Sequence, residues 1–255
     1  MTTPGPAAER GVLQPDTPMW GEHRSRYHFA VTEARGKVVL DVACGTGFGA
    51  PILRGGGARA VIGFDLSWDA LVACAPGDGT LFCNSDGTRL PVRDASFDMV
   101  TSFETIEHIP NYKDFLRELH RVLRPDGVLV MSTPNALHTK PVNGVPTNPY
   151  HVKEFTPAEF HELLSSQFGS VDVYGQRPSA EHRPCPYWEA PDIPRSLGSR
   201  LVAMSWKAAA RLPRGAREGL WRAWRGVSFH PGEHDFVYET AGVEHAHVLV
   251  GVCRR

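Results

Sequence analysis

The chain has 255 residues, 42% of them hydrophobic and 22% charged, which is room for one or two soluble domains. Lys and Arg number 27 against 28 Asp and Glu, and a net charge of −1 excludes a chain built to coat nucleic acid. The five cysteines, Cys44, Cys74, Cys83, Cys185 and Cys253, are irregularly spaced with no C-x-x-C. That excludes a disulfide framework or zinc knuckle and predicts a reducing, cytoplasmic location. No apolar run approaches the ~18 residues needed to span a bilayer, and residues 1–16, rich in Pro, Gly and Ala, read as a flexible tail rather than a signal peptide.

Taken in order, residues 17–35 predict a helix ending before Gly36, and 37–43 a short buried strand. Residues 44–50 are a Gly-rich turn that opens a helix running to Arg54 and stopped by Gly55-Gly56-Gly57. Residues 59–66 read as a second strand, Ser67 as the N-cap of a helix over 68–75, and 81–85 and 96–103 as the third and fourth strands. Asn111 is placed to cap a helix reaching Leu123, with a turn at Pro125-Asp126-Gly127 and a fifth strand over 128–132. A long loop spans 134–152; Thr156 caps a helix to Ser166, and 170–174 is another strand. Residues 177–240 are irregular, with helices expected at 197–211 and 215–225, and 246–253 closes as a strand. The alternation of apolar strands with helices predicts a doubly wound α/β sheet, mostly parallel and covered on both faces.

The strongest chemical signal is Val39-Leu40-Asp41-Val42-Ala43-Cys44-Gly45-Thr46-Gly47-Phe48-Gly49, a strand that ends in a Gly-rich turn and opens a helix. Eighteen residues beyond Gly47, at the end of the second strand, stands Asp65, where an acidic residue accepts hydrogen bonds from a ribose. Gly45-x-Gly47-x-x-Ala50 also fits a dinucleotide fingerprint, so an NAD-type oxidoreductase is one reading. Asp41 weighs against it, because a carboxylate before the turn repels a pyrophosphate and stabilises a cationic ligand. Further along come Asn84-Ser85-Asp86-Gly87 followed by Leu90-Pro91, then Phe97-Asp98-Met99-Val100, Phe103-Glu104-Thr105-Ile106-Glu107-His108-Ile109, and Leu119-His120-Arg121-Val122-Leu123-Arg124-Pro125-Asp126-Gly127.

This ordered set, over roughly residues 37–133 with a weaker match to about 175, resembles the class I S-adenosylmethionine-dependent methyltransferases. It is most similar to the small-molecule branch that includes ubiquinone-type and bacterial sugar or natural-product methyltransferases. The resemblance implies a Rossmann-like sheet of seven strands with the last antiparallel, in a single domain over 17–255 whose variable insertion at about 177–240 shapes acceptor choice. It implies S-adenosylmethionine as cofactor, with Asp41, Gly45 and Gly47 along its methionine part, Asp65 at the ribose, Asp86 at the adenine and Phe103 near the sulfonium. Ala43, Thr46, Leu66 and Gly87 complete the expected contacts, and Tyr27 is either part of a lid over the cofactor or one residue of a packing helix. Ala43 departs from the pattern, standing where the family often has its first glycine. A S-adenosylmethionine-binding protein without transfer activity is the non-enzyme alternative.

Methyl transfer to a hydroxyl needs alignment, exclusion of water and a base for the acceptor proton. His108, on the carboxyl side of the fourth strand, and His151, in Asn148-Pro149-Tyr150-His151, are the two candidates, with His138 third. His108, His138, His151, Glu104 and Glu107 include metal-ligand types, but their spacing fits no strict motif and no metal is expected. The acceptor is read as a small molecule, methylated on oxygen rather than nitrogen, with no nucleic-acid partner. Residues 196–225 carry seven basic residues and one acidic one, with Trp206, Trp221 and Trp224 interleaved. This stretch is open to three readings: a solvated face, a wall for an anionic or nucleotide-linked acceptor, or a peripheral membrane contact.

Overall fold

The structure, a computed structural model, describes residues 17–182 and 196–255. The expected N-terminal tail and Cys185 lie outside the described residues. Helix α1 (Pro18–Ala34) precedes strand β1 (Val38–Val42), α2 (Gly49–Gly55), β2 (Ala60–Asp65), α3 (Trp68–Val72), β3 (Thr80–Asn84) and β4 (Phe97–Ser102). A single 3-10 turn (Ile106–His108) leads to α4 (Tyr112–Val122), β5 (Leu123–Pro134), the short α5 (Ala136–Thr139), α6 (Pro157–Ser165) and β6 (Ser170–Pro178). Then come α7 (Leu197–Ala209), α8 (Arg214–Arg225), β7 (Phe236–Glu239) and β8 (Val248–Arg254).

The strands form one sheet in the order β3-β2-β1-β4-β5-β8-β6-β7. β1 to β5 pair in parallel and β8 runs antiparallel to β5. The expected doubly wound sheet is therefore present, with its antiparallel C-terminal strand, and β7 adds an eighth strand inside a segment read as irregular. The direction of winding reverses between β1 and β4, and in open α/β sheets ligands bind at the carboxyl ends of the strands beside such a reversal.

Two expectations are corrected in detail. Pro125-Asp126-Gly127 is not a free turn but part of β5: register moves from Phe97 opposite Leu123 to Met99 opposite Val128, so four residues of β5 stand against Asp98 alone. The bulge lets the helix-to-strand connection be absorbed within the sheet. Asn111 does stand at the start of α4, but its side chain makes no cap bond. Its backbone carbonyl accepts from the amides of Asp114 and Phe115 instead. Ser67 caps α3 as expected, its hydroxyl accepting from the Ala70 amide at 3.3 Å.

The chain divides into two compact units. One comprises Arg26–Gly175 with Glu239–Arg255. Its core joins Leu40, Val42 and Val100 of the sheet to Phe115, Leu116, Leu119 and Val122 of α4 and to Phe160 and Leu164 of α6. The α4 spacing i, i+1, i+4, i+7 is the apolar stripe that a helix buries against a sheet. The other unit holds the described residues up to Ser25 and those from Gln176 to Tyr238. In it the Gln176 amide donates to Ser25 Oγ at 2.7 Å and to the Glu22 carbonyl at 2.9 Å, and Trp206 stacks on Phe229 with ring centroids 5.0 Å apart.

α6 begins with a capping box, in which Thr156 Oγ1 accepts from the Glu159 amide and the Glu159 carboxylate accepts from the Thr156 amide, followed by Pro157 at the first turn. Thr156→Ala is expected to cost about 1 kcal/mol and to lower the melting temperature by about 2–4 °C, as read by differential scanning calorimetry.

Candidate active site

The parallel register sets Asp41, near the end of β1, between Thr101 of β4 and Gly63 of β2. Asp41 is almost fully buried. Thr101 Oγ1 donates to its Oδ1 at 2.7 Å, and the Tyr27 hydroxyl donates to its Oδ2 at 3.1 Å. Burial pushes the Asp41 carboxyl up to about 7, the charge of Asp65 adds to that, and the two hydroxyl bonds oppose it. Tyr27 is buried too, its ring edge-on to Phe48 at 5.4 Å and to Phe103 at 4.9 Å. A Cβ on Gly49 would lie 2.0 Å from that ring, so glycine at the start of α2 is what admits it.

The turn after β1 alternates through left-handed backbone, with φ of 61° at Ala43, 57° at Gly45 and 73° at Gly47. At Gly47 a side chain is also excluded by space, since a Cβ would meet Phe82 at 2.8 Å and Cys74 Sγ at 2.9 Å. The conformation of Ala43 explains why glycine suits that position. Alanine there carries about 1–2 kcal/mol of backbone strain, of the kind that gathers at ligand sites. Asp65 ties the turn to the next crossover: its Oδ2 accepts from the Gly45 amide at 2.8 Å and its Oδ1 from the Ser67 amide at 2.7 Å. Thr46 and Leu66 stand exposed beside it. Beyond β3, exposed Asp86 uses Oδ1 to accept from the Thr88 amide and hydroxyl at 2.8 and 2.7 Å, and Gly87 lets Phe115 approach. A cavity of about 590 Å³ near Thr46 is lined by Arg54, Gly55, Asp78 and Thr80. It reaches from the amino end of β3 to Thr46, Gly47 and Phe48 of the turn after β1.

On the far side of β1 the chain leaves β4 through Phe103 and Glu104. Glu104 adopts a left-handed φ of 48°, held by a reciprocal pair in which its amide donates to Ser132 Oγ at 3.1 Å and Ser132 Oγ donates to its carboxylate at 2.7 Å. The fully buried Arg26 guanidinium lies 3.6 Å from the same carboxylate. Glu107, in the 3-10 turn, is completely buried; Thr133 donates to its Oε2 at 3.0 Å, while its Oε1 has no hydrogen-bond partner. Burial pushes its carboxyl well above the usual range, with the negative charge of Glu104 adding to that.

The two histidines come together, rings edge-on at 4.8 Å, because the Val152 amide donates to the Glu107 carbonyl at 2.7 Å and pins the loop carrying His151 to the turn carrying His108. Their tautomers follow from their partners. His108 Nδ1 faces the Tyr150 carbonyl at 3.0 Å, an acceptor only, so Nδ1 carries the proton. His108 Nε2 lies 3.9 Å from Glu107 Oε1. Asn148 Oδ1 accepts from the Tyr150 amide, which turns its Nδ2 toward His151 Nε2 at 2.9 Å. That nitrogen therefore accepts, and His151 Nδ1 donates to Glu154 Oε1 at 2.6 Å. The His151 side chain is 8% exposed and that of His108 29%. His138 packs against His247, ring centroids 4.5 Å apart.

Glu107, His108 and His151 each offer a ligand atom within 4.8 Å of the others, so the cluster could hold a cation. Both ring nitrogens of His151 are already engaged, by Asn148 and by Glu154. Thr101, Arg26, Ser132, Asn148 and Glu154 were not picked out as site residues in the sequence. The signal for Thr101 is the β1–β4 register, and that for Asn148 and Glu154 is their spacing of three on either side of His151.

Comparison with known proteins bears on this geometry. Residues 40–131 match the methyltransferase domain family. A protein of Mycolicibacterium smegmatis named "Probable S-adenosylmethionine-dependent methyltransferase" is 38% identical over 146 residues, 56% of this chain and 56% of its own. The phthiotriol/phenolphthiotriol dimycocerosates methyltransferase 1 of Mycobacterium ulcerans is 37% identical over 115 residues, 43% of this chain and 42% of its own. The chain thus spans about half the length of the curated relatives it matches. Among solved structures, a S-adenosylmethionine-dependent methyltransferase from Archaeoglobus fulgidus superposes with a TM-score of 0.60 at 16% identity, covering 98% of each chain, which shows the shared fold.

Family and fold imply S-adenosylmethionine as the cofactor, and the residues present suit it. The site offers a buried carboxylate at Asp41, an exposed one at Asp86, and a backbone turn with open space over Gly45, a donor and acceptor set for a cationic, phosphate-free ligand. Because its carboxyl is raised to about 7, the stabilisation Asp41 gives the ligand-free fold is present in acid and is lost as pH rises through about 7. Affinity for a cationic ligand runs the other way and should weaken by up to about tenfold per pH unit below about 7. Calorimetric titration of S-adenosylmethionine across this range should show that slope in the wild type. Asp41→Asn should bind at least about tenfold more weakly with a flat profile, yet melt higher than the wild type at alkaline pH without ligand.

Proposed function

We propose that this chain transfers a methyl group from S-adenosylmethionine to an oxygen of a small-molecule acceptor, with His108 as the general base. The single observation that carries the reading is the His108 ring at the carboxyl edge of β4, with a proton placed on Nδ1 by the Tyr150 carbonyl. The Nε2 side of the ring belongs to a partly exposed side chain, which an acceptor can reach. S-adenosylmethionine supplies an electrophilic methyl carbon whose sulfur leaving group is already in place. The acceptor oxygen gains that carbon, and its proton passes to His108 Nε2. Asp41, the Gly45–Gly47 turn, Asp65 and Asp86 hold the cofactor, and Tyr27 and Phe103 exclude water beside it.

His151 is a positioning residue in this scheme. Its Nε2 lone pair is taken by Asn148 and its Nδ1 proton by Glu154, so the ring is fixed edge-on against His108 rather than poised to react. The acceptor is a hydroxyl on a sugar or natural product, with residues 177–240 choosing among acceptors as an insertion in one domain. A lipid-like acceptor is the second reading, favoured by the name of the Mycobacterium ulcerans relative. The four described cysteines are free thiols, which supports a reducing, cytoplasmic setting. No helix among the described residues is long and apolar enough to cross a membrane.

Mass spectrometry of an acceptor screen with isotopically labelled S-adenosylmethionine tests the reading: labelled ether products support it, and cofactor binding with no turnover on any hydroxyl acceptor overturns it. In single-turnover assays, His108→Ala should slow transfer by about 10²–10⁴ with unchanged cofactor affinity. His151→Gln should slow it less and displace the acid limb of the pH profile, on which the base becomes protonated. Activity is expected to survive exhaustive chelation; loss that magnesium restores would instead assign a cation to the Glu107, His108 and His151 cluster.

A further inference from the structure

Helix α7 has an apolar face too many. Toward the interior of its own unit it buries Ala203 and stacks Trp206 on Phe229. Away from it, Leu197, Leu201 and Met204 follow at i, i+4 and i+7, and they are 76%, 57% and 68% exposed. A helix packed on one side normally turns a polar face to water, and exposed large side chains in a continuous stripe mark a contact surface. Arg200 and Lys207 run along one flank of the stripe and Arg211 stands in the turn just after α7, all exposed and none with an acidic partner among the described residues. α8 repeats the theme with exposed Leu220 and Trp224 at i and i+4, and with Arg225 placed over the Trp224 ring. Across residues 196–225 the balance is seven basic residues to one acidic.

We propose that α7 is a membrane-surface helix that lies in the headgroup plane of an anionic bilayer, inserting Leu197, Leu201 and Met204 while Arg200, Lys207 and Arg211 meet lipid phosphates. The charge pattern selects this occupant. A second copy of the chain meeting the same face across a two-fold axis would bring like-charged rows together. A nucleic-acid backbone would satisfy the cations but leave the apolar stripe in water. A bilayer surface takes both at once, which is how amphipathic interfacial helices bind, and the negative potential of anionic lipids attracts the basic row. The surface is independent of the methyl-transfer reading, because it can be measured without turnover. Were both to hold, the enzyme would work at the boundary where amphipathic acceptors reside.

Co-sedimentation of the full chain with vesicles of phosphatidylglycerol and phosphatidylcholine, against pure phosphatidylcholine, is the test. At low salt the protein should pellet with the anionic vesicles alone, and added salt should release it. Replacing Arg200, Lys207 and Arg211 together by Gln should weaken binding at least about tenfold. Leu201→Glu with Met204→Glu should abolish it while S-adenosylmethionine binding, read by calorimetry, stays unchanged and vouches for the fold. Failure to pellet with anionic vesicles overturns the proposal, as does pelleting that the paired Glu variant leaves intact or that free glycerol phosphate competes away. The latter two results would reveal recognition of a headgroup phosphate alone. A dimer by analytical ultracentrifugation that Leu201→Glu dissolves, without vesicle binding, would give the face to a second copy.

Discussion

The site hangs on one buried carboxylate. Asp41 is fixed by the β1–β4 pairing that marks the reversal of the sheet, and it is hydrogen-bonded by a neighbouring strand through Thr101 and by α1 through Tyr27. An acidic group taken from water at this depth is costly unless it is protonated or paired. The fold offsets part of that cost with two hydroxyls that donate to the carboxylate. Above pH about 7 the ionised carboxyl burdens the ligand-free fold, and a cation beside it would relieve that cost. The same constraint shapes the surroundings: Gly49 is bare because the Tyr27 ring must come close, and Asp65 satisfies backbone amides of the turn rather than standing as a second uncompensated charge.

The fold was largely legible in the sequence because its signals are local. Short β-branched runs at Val38–Val42 and Ala60–Asp65, the Ser67 and Thr156 caps and the apolar stripe of α4 each follow from periodicity or a single hydrogen-bonding side chain. What escaped depends on partners distant in sequence. β7, only Phe236–Glu239, carries too few residues for alternation to show and exists because of pairing at the end of the sheet. Pro125-Asp126-Gly127 has every mark of a free turn, yet the strand beside it decides that it is a bulge.

The site divides along the same line. The glycine turn, Asp65, Asp86 and the two histidines stood out because residue type and position relative to a strand end are visible in one dimension. Hydrogen-bond partnership is not. Nothing in Asn148-Pro149-Tyr150-His151 announces that Asn148 covers the lone pair of its own neighbouring histidine while the Tyr150 carbonyl orients the other, and that pairing is what separates two otherwise equal candidates. Arg26 was hidden for a different reason. In a run of charged helix residues nothing marks the one that is fully buried beside Glu104.

The place of β8 has a consequence for how the molecule is made. It is the last strand in the chain, yet it sits between β5 and β6, pairing Val248–Arg254 along the whole length of Val128–Pro134. During synthesis both neighbours emerge before the strand that joins them, so each waits with an open edge able to recruit foreign strands. A nascent chain paused before Val248 would be an incomplete sheet rather than a shortened one, and the span most in need of chaperone cover is the interval between the emergence of β6 and that of β8.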